Sequence, residues 1–216
     1  MTVEMRGAAF LSFFEGIEEL RDRATADAVK EALRPELRER VLSGAITRVG
    51  WYPMAEYTAL HEALDRVVSG GPEFAVRLGY VTTDRDTRGL LRYVLAFTSP
   101  DLLIRYADKV FMSYVRGASM SIEQLGPRHY LVSWSDHHGA SRALFDEWRG
   151  GIQLLMERCG GKNVVVAARP FDDDGIGTRR KACVGPRDGV EVDRDACPLG
   201  REVRGDRRRE RVGIDV

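Results

Sequence analysis

Residues 118–134 read ASMSIEQLGPRHYLVSW, and their period decides the fold class. Met120 alternates with Ile122, and Tyr130 alternates with Val132 and Trp134. Between the two runs stands Gly126-Pro127-Arg128, a turn sequence. Alternation of apolar and polar residues puts one face of each run inside, so the stretch predicts a β-hairpin with one buried face.

The chain on either side follows a different rhythm. Downstream, Ser141 is placed to cap a long helix with Leu144, Trp148, Ile152, Leu155 and Cys159 on one stripe. Gly160-Gly161 stops that helix, and NVVVAA then predicts a third strand. Upstream, Phe10, Phe13, Phe14, Ile17 and Leu20 recur at helical spacing with an aromatic inner face. Thr25 is expected to cap a short helix, Pro35 to open the next and Gly44 to end it. Pro53 and Pro72 are read as helix starts, and Ser99-Pro100 as cap and first turn. Leu91, Val94 and Leu95 are expected on one helix side. The fold class is therefore α+β: a helical N-terminal half, then a hairpin, a long helix and a further strand, forming a small antiparallel sheet packed on helices.

Composition bounds the function. The 216 residues carry 33 basic and 33 acidic side chains, so no global field draws the chain to nucleic acid. No apolar run reaches the roughly 18 to 20 residues of a membrane span, and no basic start with an apolar run marks a signal peptide. Three cysteines, Cys159, Cys183 and Cys197, suit a reducing cytoplasm better than a disulfide scaffold. Residues 1–170 are expected to form one α+β domain. Residues 171–216 are rich in Gly, Arg and Asp and poor in large apolar groups, and predict a mostly disordered tail.

The richest cluster of candidate site residues is GWYPMAEYTALHEAL, residues 50–64. Tyr57 and His61 are four apart on one helix face, with Trp51 just ahead. As a site, Trp51, Tyr57 and His61 make a pocket wall with polar tips facing a ligand. As structure, they make an aromatic corner with Trp51 and Tyr57 mostly buried, and Trp51→Ala then costs about 3 kcal/mol or more. Asp136, His137 and His138 are read as a polar loop, because adjacent histidines on an extended segment diverge and no further metal-ligand spacing accompanies them. Gly150-Gly151 inside a helix points to close backbone approach, a kink or a ligand, with packing of the helix on the sheet as the expected case. No nucleophile elbow, phosphate loop or metal-binding motif is present. No catalytic residue, metal or cofactor is assigned.

The spaced stretches GWYPMAEYTALHEAL, GGPEFAVRLG, RYVLAFTSPDLLIRYADKVF and GGIQLLMERCGGKNVVV resemble a paralogous family of myxobacterial proteins of unknown function, over roughly residues 5–170. The order of helices, hairpin, long helix and strand resembles, more distantly, the superfamily of haem-nitric-oxide-binding, vinyl-reductase-type and trafficking-subunit domains. That likeness implies a small hydrophobic or haem ligand, or a dimeric adaptor role. The haem-binding members carry a Tyr-x-Ser-x-Arg motif that this chain lacks. The expected function is a cytoplasmic, non-enzymatic sensory or adaptor domain with a small apolar ligand. The alternatives are an enzyme whose site assembles only in three dimensions, and a dimeric protein-interaction module.

Overall fold

The computed structural model describes residues 2–88, 90–126, 129–168 and 180–186. The N-terminal half is helical. Helix α1 (Gly7–Leu20) follows a short strand β1 (Glu4–Arg6), and α2 (Arg23–Glu31), α3 (Pro35–Leu42), β2 (Trp51–Pro53), α4 (Met54–Val67) and α5 (Gly71–Asp86) follow in order. Phe10, Phe13 and Ile17 of α1 are fully buried, as their spacing requires, in one core cluster with Met54, Leu60 and Leu64 of α4. The cap of α2 is Asp22, whose carboxylate accepts from the Thr25 N–H at 2.7 Å, so the helix starts ahead of the expected Thr25. Pro35 opens α3, and Gly44 closes that segment at φ +72°. Pro53 precedes α4 instead of lying inside it, because its residue belongs to β2.

Strands β1, β2 and β3 (Val115–Arg116) form a small antiparallel sheet in the order β2-β1-β3. Three residues or fewer per strand leave no alternation to read, so this sheet has no sequence signature. It ties the start of the chain to the segment that enters the hairpin.

Two helices, α6 (Leu90–Ala96) and α7 (Pro100–Met112), lead to that segment. Ser99 caps α7 by accepting from the Leu102 N–H. Leu95 of α6 is buried, whereas Val94 is 52% exposed, so these two do not share a face. The hairpin is β4 (Ser119–Gly126) with β5 (His129–Ser135), paired Met120 to Trp134, Ile122 to Val132 and Gln124 to Tyr130. Helix α8 (Arg142–Arg158), capped by Ser141, returns across the molecule to β6 (Val164–Ala168).

The α+β architecture is the expected one, with a small antiparallel sheet packed against helices. The sheet, however, runs β4-β5-β7-β6, and β7 is Arg180–Pro186. That strand lies within the stretch read as a disordered tail. Ala182, Cys183 and Val184 pair with β5 on one side and β6 on the other, and backbone pairing on both edges offsets the ordering entropy that composition alone does not. The remainder of that stretch lies outside the described residues.

The interior is built around α8, which is buried on several faces by Leu144, Phe145, Glu147, Gly150 and Leu154. Gly150 and Gly151 pack against α5 and not against the sheet. A Cβ on Gly150 would collide with the Val76 carbonyl oxygen, and one on Gly79 of α5 with that of Glu147. The two helices therefore cross at backbone contact, and only glycine permits that approach.

Candidate functional site

A cavity of about 230 Å³ lies between the helical half and the hairpin. Helices α5, α7 and α8 and strands β4 and β5 supply most of its wall. The wall is largely apolar, with Ile104 and Phe111 from α7, Met120 and Ile122 from β4, and Trp148 and Ile152 from α8. The threonines of α5 add to this character. Thr82, and Thr87 just past the end of α5, donate their hydroxyls to the carbonyls of Gly79 and Thr83, so these donors are met by the helix itself.

Two acidic groups interrupt the apolar wall. Glu147 of α8 is buried and accepts from the Tyr57 hydroxyl at 2.9 Å on Oε1 and 3.1 Å on Oε2. His61 Nε2 lies 2.8 Å from Oε2 of the same carboxylate. A carboxylate only accepts, so Nε2 bears the hydrogen and the buried Nδ1 has no partner. Phe13 packs edge-on against both rings, at 5.8 Å from Tyr57 and 5.1 Å from His61. Burial, with Glu147 beside it, pushes the Tyr57 phenol well above its ordinary value, so it remains a neutral donor.

Asp86, the last residue of α5, is the second acid. It accepts from Ser12 Oγ at 2.5 Å and from the Tyr114 hydroxyl at 3.3 Å. Burial raises its carboxyl above the usual aspartate range, and the two donors oppose that shift without cancelling it. Tyr114 is pushed up as well, first by burial and then by Asp86.

The three residues singled out from sequence therefore separate. Tyr57 lines the cavity, while His61 stands behind it on Glu147. Trp51 belongs to neither group. It is half-buried on the three-stranded sheet, with the Arg116 guanidinium 3.7 Å and that of Arg6 5.4 Å from its ring centroid. Tyr57 is fully buried and Trp51 is mostly covered, but a ring covered by two arginines is expected to lose less on truncation than the roughly 3 kcal/mol of a core aromatic. Glu147 and Asp86 were missed. Glu147 is 86 residues from His61, and neither acid belongs to a recognisable spacing.

The other candidates are structural. His137 is buried against the Phe145 ring at 4.9 Å, whereas His138 is exposed, so the pair diverges. Cys159 is buried, and its thiol is pushed up to about 11 by burial. No group of three metal-ligating side chains gathers among the described residues. No described helix is long and apolar enough to cross a membrane.

No protein-family model matches the chain, and no curated protein matches it. Solved structures do. A single-residue variant of Tt H-NOX superposes with a TM-score of 0.62 at 13% identity, covering 86% of this chain and 97% of its own. An Fe(II) unliganded H-NOX mutant from K. algicida gives 0.62 at 14% identity, covering 85% and 98%. An oxygen-binding H-NOX domain related to soluble guanylate cyclases gives 0.59 at 13%, covering 83% and 94%. The chain thus has an H-NOX-like fold, and at these identities the likeness is one of fold.

Some of these similar structures concern haem distortion, so the wall is tested for haem. Haem iron takes a histidine, thiolate, methionine or tyrosinate ligand. No described lining residue is a histidine or cysteine. The lining tyrosines donate to carboxylates, and burial opposes their ionisation. Met5, Met120 and Met156 bring thioethers, which hold haem iron in company with a histidine, and no described lining residue is one. No described lysine or arginine lines the cavity to meet porphyrin carboxylates, and two acids stand there instead. The residues of this wall do not fit a haem.

Proposed function

We propose that this chain is a non-enzymatic sensory domain of H-NOX-like fold that holds a small apolar ligand other than haem. The observation that carries the reading is the apolar cavity between α5, α7, α8 and the hairpin. Among the described residues the wall gathers no serine–histidine or cysteine–histidine pair: Ser12 donates to Asp86 with no histidine beside it, and His61 faces Glu147 behind the cavity. The same reading keeps the protein in the cytoplasm and extends to the myxobacterial paralogues that the chain resembles. Native mass spectrometry of the purified protein, with an absorption spectrum, tests it. A retained apolar molecule and no Soret band are expected. Stoichiometric haem, or a cavity that takes up no apolar probe, overturns it.

The adaptor reading has its own support in α6 and α7. Tyr93, Phe97, Leu102, Tyr106 and Met112 are exposed, Phe97 at 90%. An apolar face of this extent is a feature of docking surfaces. The opposite side of α7 lines the cavity through Ile104, Ala107 and Phe111, so one helix touches both ligand space and outer face. Sedimentation of wild type and Phe97→Asp tests self-association: a dimer lost in the variant supports a homodimeric module, and a monomer at all concentrations removes that reading.

A further inference from the structure

One buried donor in the cavity wall has no acceptor. Trp134 of β5 is 2% exposed and lines the cavity, and its indole Nε1 makes no hydrogen bond. The rings of Phe145 and Trp148 hold the indole in place, each with its centroid 5.7 Å away. A buried N–H without an acceptor is unfavourable, and most such groups in folded proteins find one. Elsewhere in the wall, Tyr57, Tyr114, Ser12, Thr82 and Thr87 direct their hydroxyls to protein acceptors. The Trp134 N–H is thus a fixed donor in an apolar setting.

The charges of the wall narrow the ligand further. Asp86 and Glu147 line it, and no described lysine, arginine or histidine does. A carboxylate or phosphate placed there would be desolvated beside two acids with no counter-charge, which is strongly unfavourable. We infer that the cavity selects a neutral apolar molecule bearing one hydrogen-bond acceptor, a carbonyl or ether oxygen, which accepts from Trp134 Nε1. This inference rests on the cavity being the ligand site.

Four probes of one chain length separate the classes: octane, 2-octanone, octanoate and octylamine, titrated into the full chain at neutral pH. Fluorescence of Trp148, which also lines the cavity, reports binding in wild type and in Trp134→Phe. The ketone is expected to bind about ten-fold tighter than octane, since one recovered hydrogen bond has that size. In Trp134→Phe the ketone is expected to lose that advantage and to bind more weakly than octane, because its carbonyl is then desolvated without a donor. Octanoate is expected to bind more weakly than octane. A ketone preference that survives in Trp134→Phe overturns the inference, as does octanoate binding as tightly as the ketone. Octylamine binding tightest, and losing this in Asp86→Asn, also overturns it and assigns the cavity to cations. Octane bound without any ketone preference overturns this inference alone, whereas failure of every probe overturns the cavity reading with it. A measurement on wild type needs no variant: the indole 15N–1H resonance of Trp134 is expected to move on adding ketone and to stay in place with octane, and an unmoved resonance under saturating ketone overturns the assignment.

Discussion

Asp86 combines three features that disfavour its charge: burial, an apolar cavity on one side, and the C-terminal end of α5, where the helix dipole is negative. Its folded-state carboxyl therefore holds a proton to higher pH than the ordinary aspartate value of 3.8. Stability contributed by this group is present below that ordinary value and falls as pH rises through the folded value. Asp86→Asn is expected to stabilise the protein at neutral pH, with the gain shrinking as pH falls toward 4, and urea melts at several pH values check it. A gain independent of pH would mean that Asp86 does not titrate out of its ordinary range. Glu147 is held differently, since Tyr57 and His61 both donate to it. Glu147→Ala leaves two buried donors without a partner and is expected to cost about 3 kcal/mol or more, while Glu147→Gln keeps an acceptor and costs less. Denaturant melts of the two variants decide it, and equal melts would remove Glu147 from the packing of α4 on α8. Tyr57 and His61 were legible because four residues on a helix return to one face. Glu147 was not, because its partners are nearly ninety positions away and no short-range pattern encodes that approach.

Elements show the same division between local and distant information. The hairpin was legible from Met120, Ile122, Val132 and Trp134, because a strand's period of two is written in adjacent residues. Caps at Ser99 and Ser141 were legible because a hydroxyl accepting from the third N–H acts within one turn. The neighbour of Gly150-Gly151 was not. Two glycines announce a close approach but do not say what approaches, and here it is α5, which answers with its own Gly79. In an exposed helix, alanine in place of glycine gains about 1 kcal/mol. At Gly150 the methyl would enter the space of the Val76 carbonyl, so Gly150→Ala is expected to destabilise by about 3 kcal/mol or more despite its better propensity. Gly44→Ala is a useful control, since that glycine has open space around it and only its positive φ opposes a side chain. A thermal melt in which Gly150→Ala costs no more than the control would show that α5 and α8 slide apart easily.

The order of the four-stranded sheet sets how the whole molecule closes. The hairpin strand β5 and the strand after the long helix, β6, do not pair with each other; β7 stands between them and pairs with both. Val132 and Trp134, which line the cavity, lie on β5, and Val166 on β6 belongs to the same core cluster. Local composition could not reveal this, because KACVGP has too few large residues to read as a core strand, and its partners lie far away in the chain. Its place in the sheet comes from backbone pairing on two sides, which depends little on side chains. A chain ending at residue 170 would expose one edge of β5 and one of β6, both with buried apolar residues, and unpaired edges of that kind invite aggregation. A chain ending at residue 190 keeps β7. The shorter chain is therefore expected to melt at lower temperature and to aggregate sooner than the longer one, and its cavity is expected to lose affinity for apolar probes, since β5 carries part of the wall. Thermal melts, light scattering and a probe titration on the pair check this. Equal melting of the two would detach β7 from the folded unit and return the boundary to residue 170, where composition had set it.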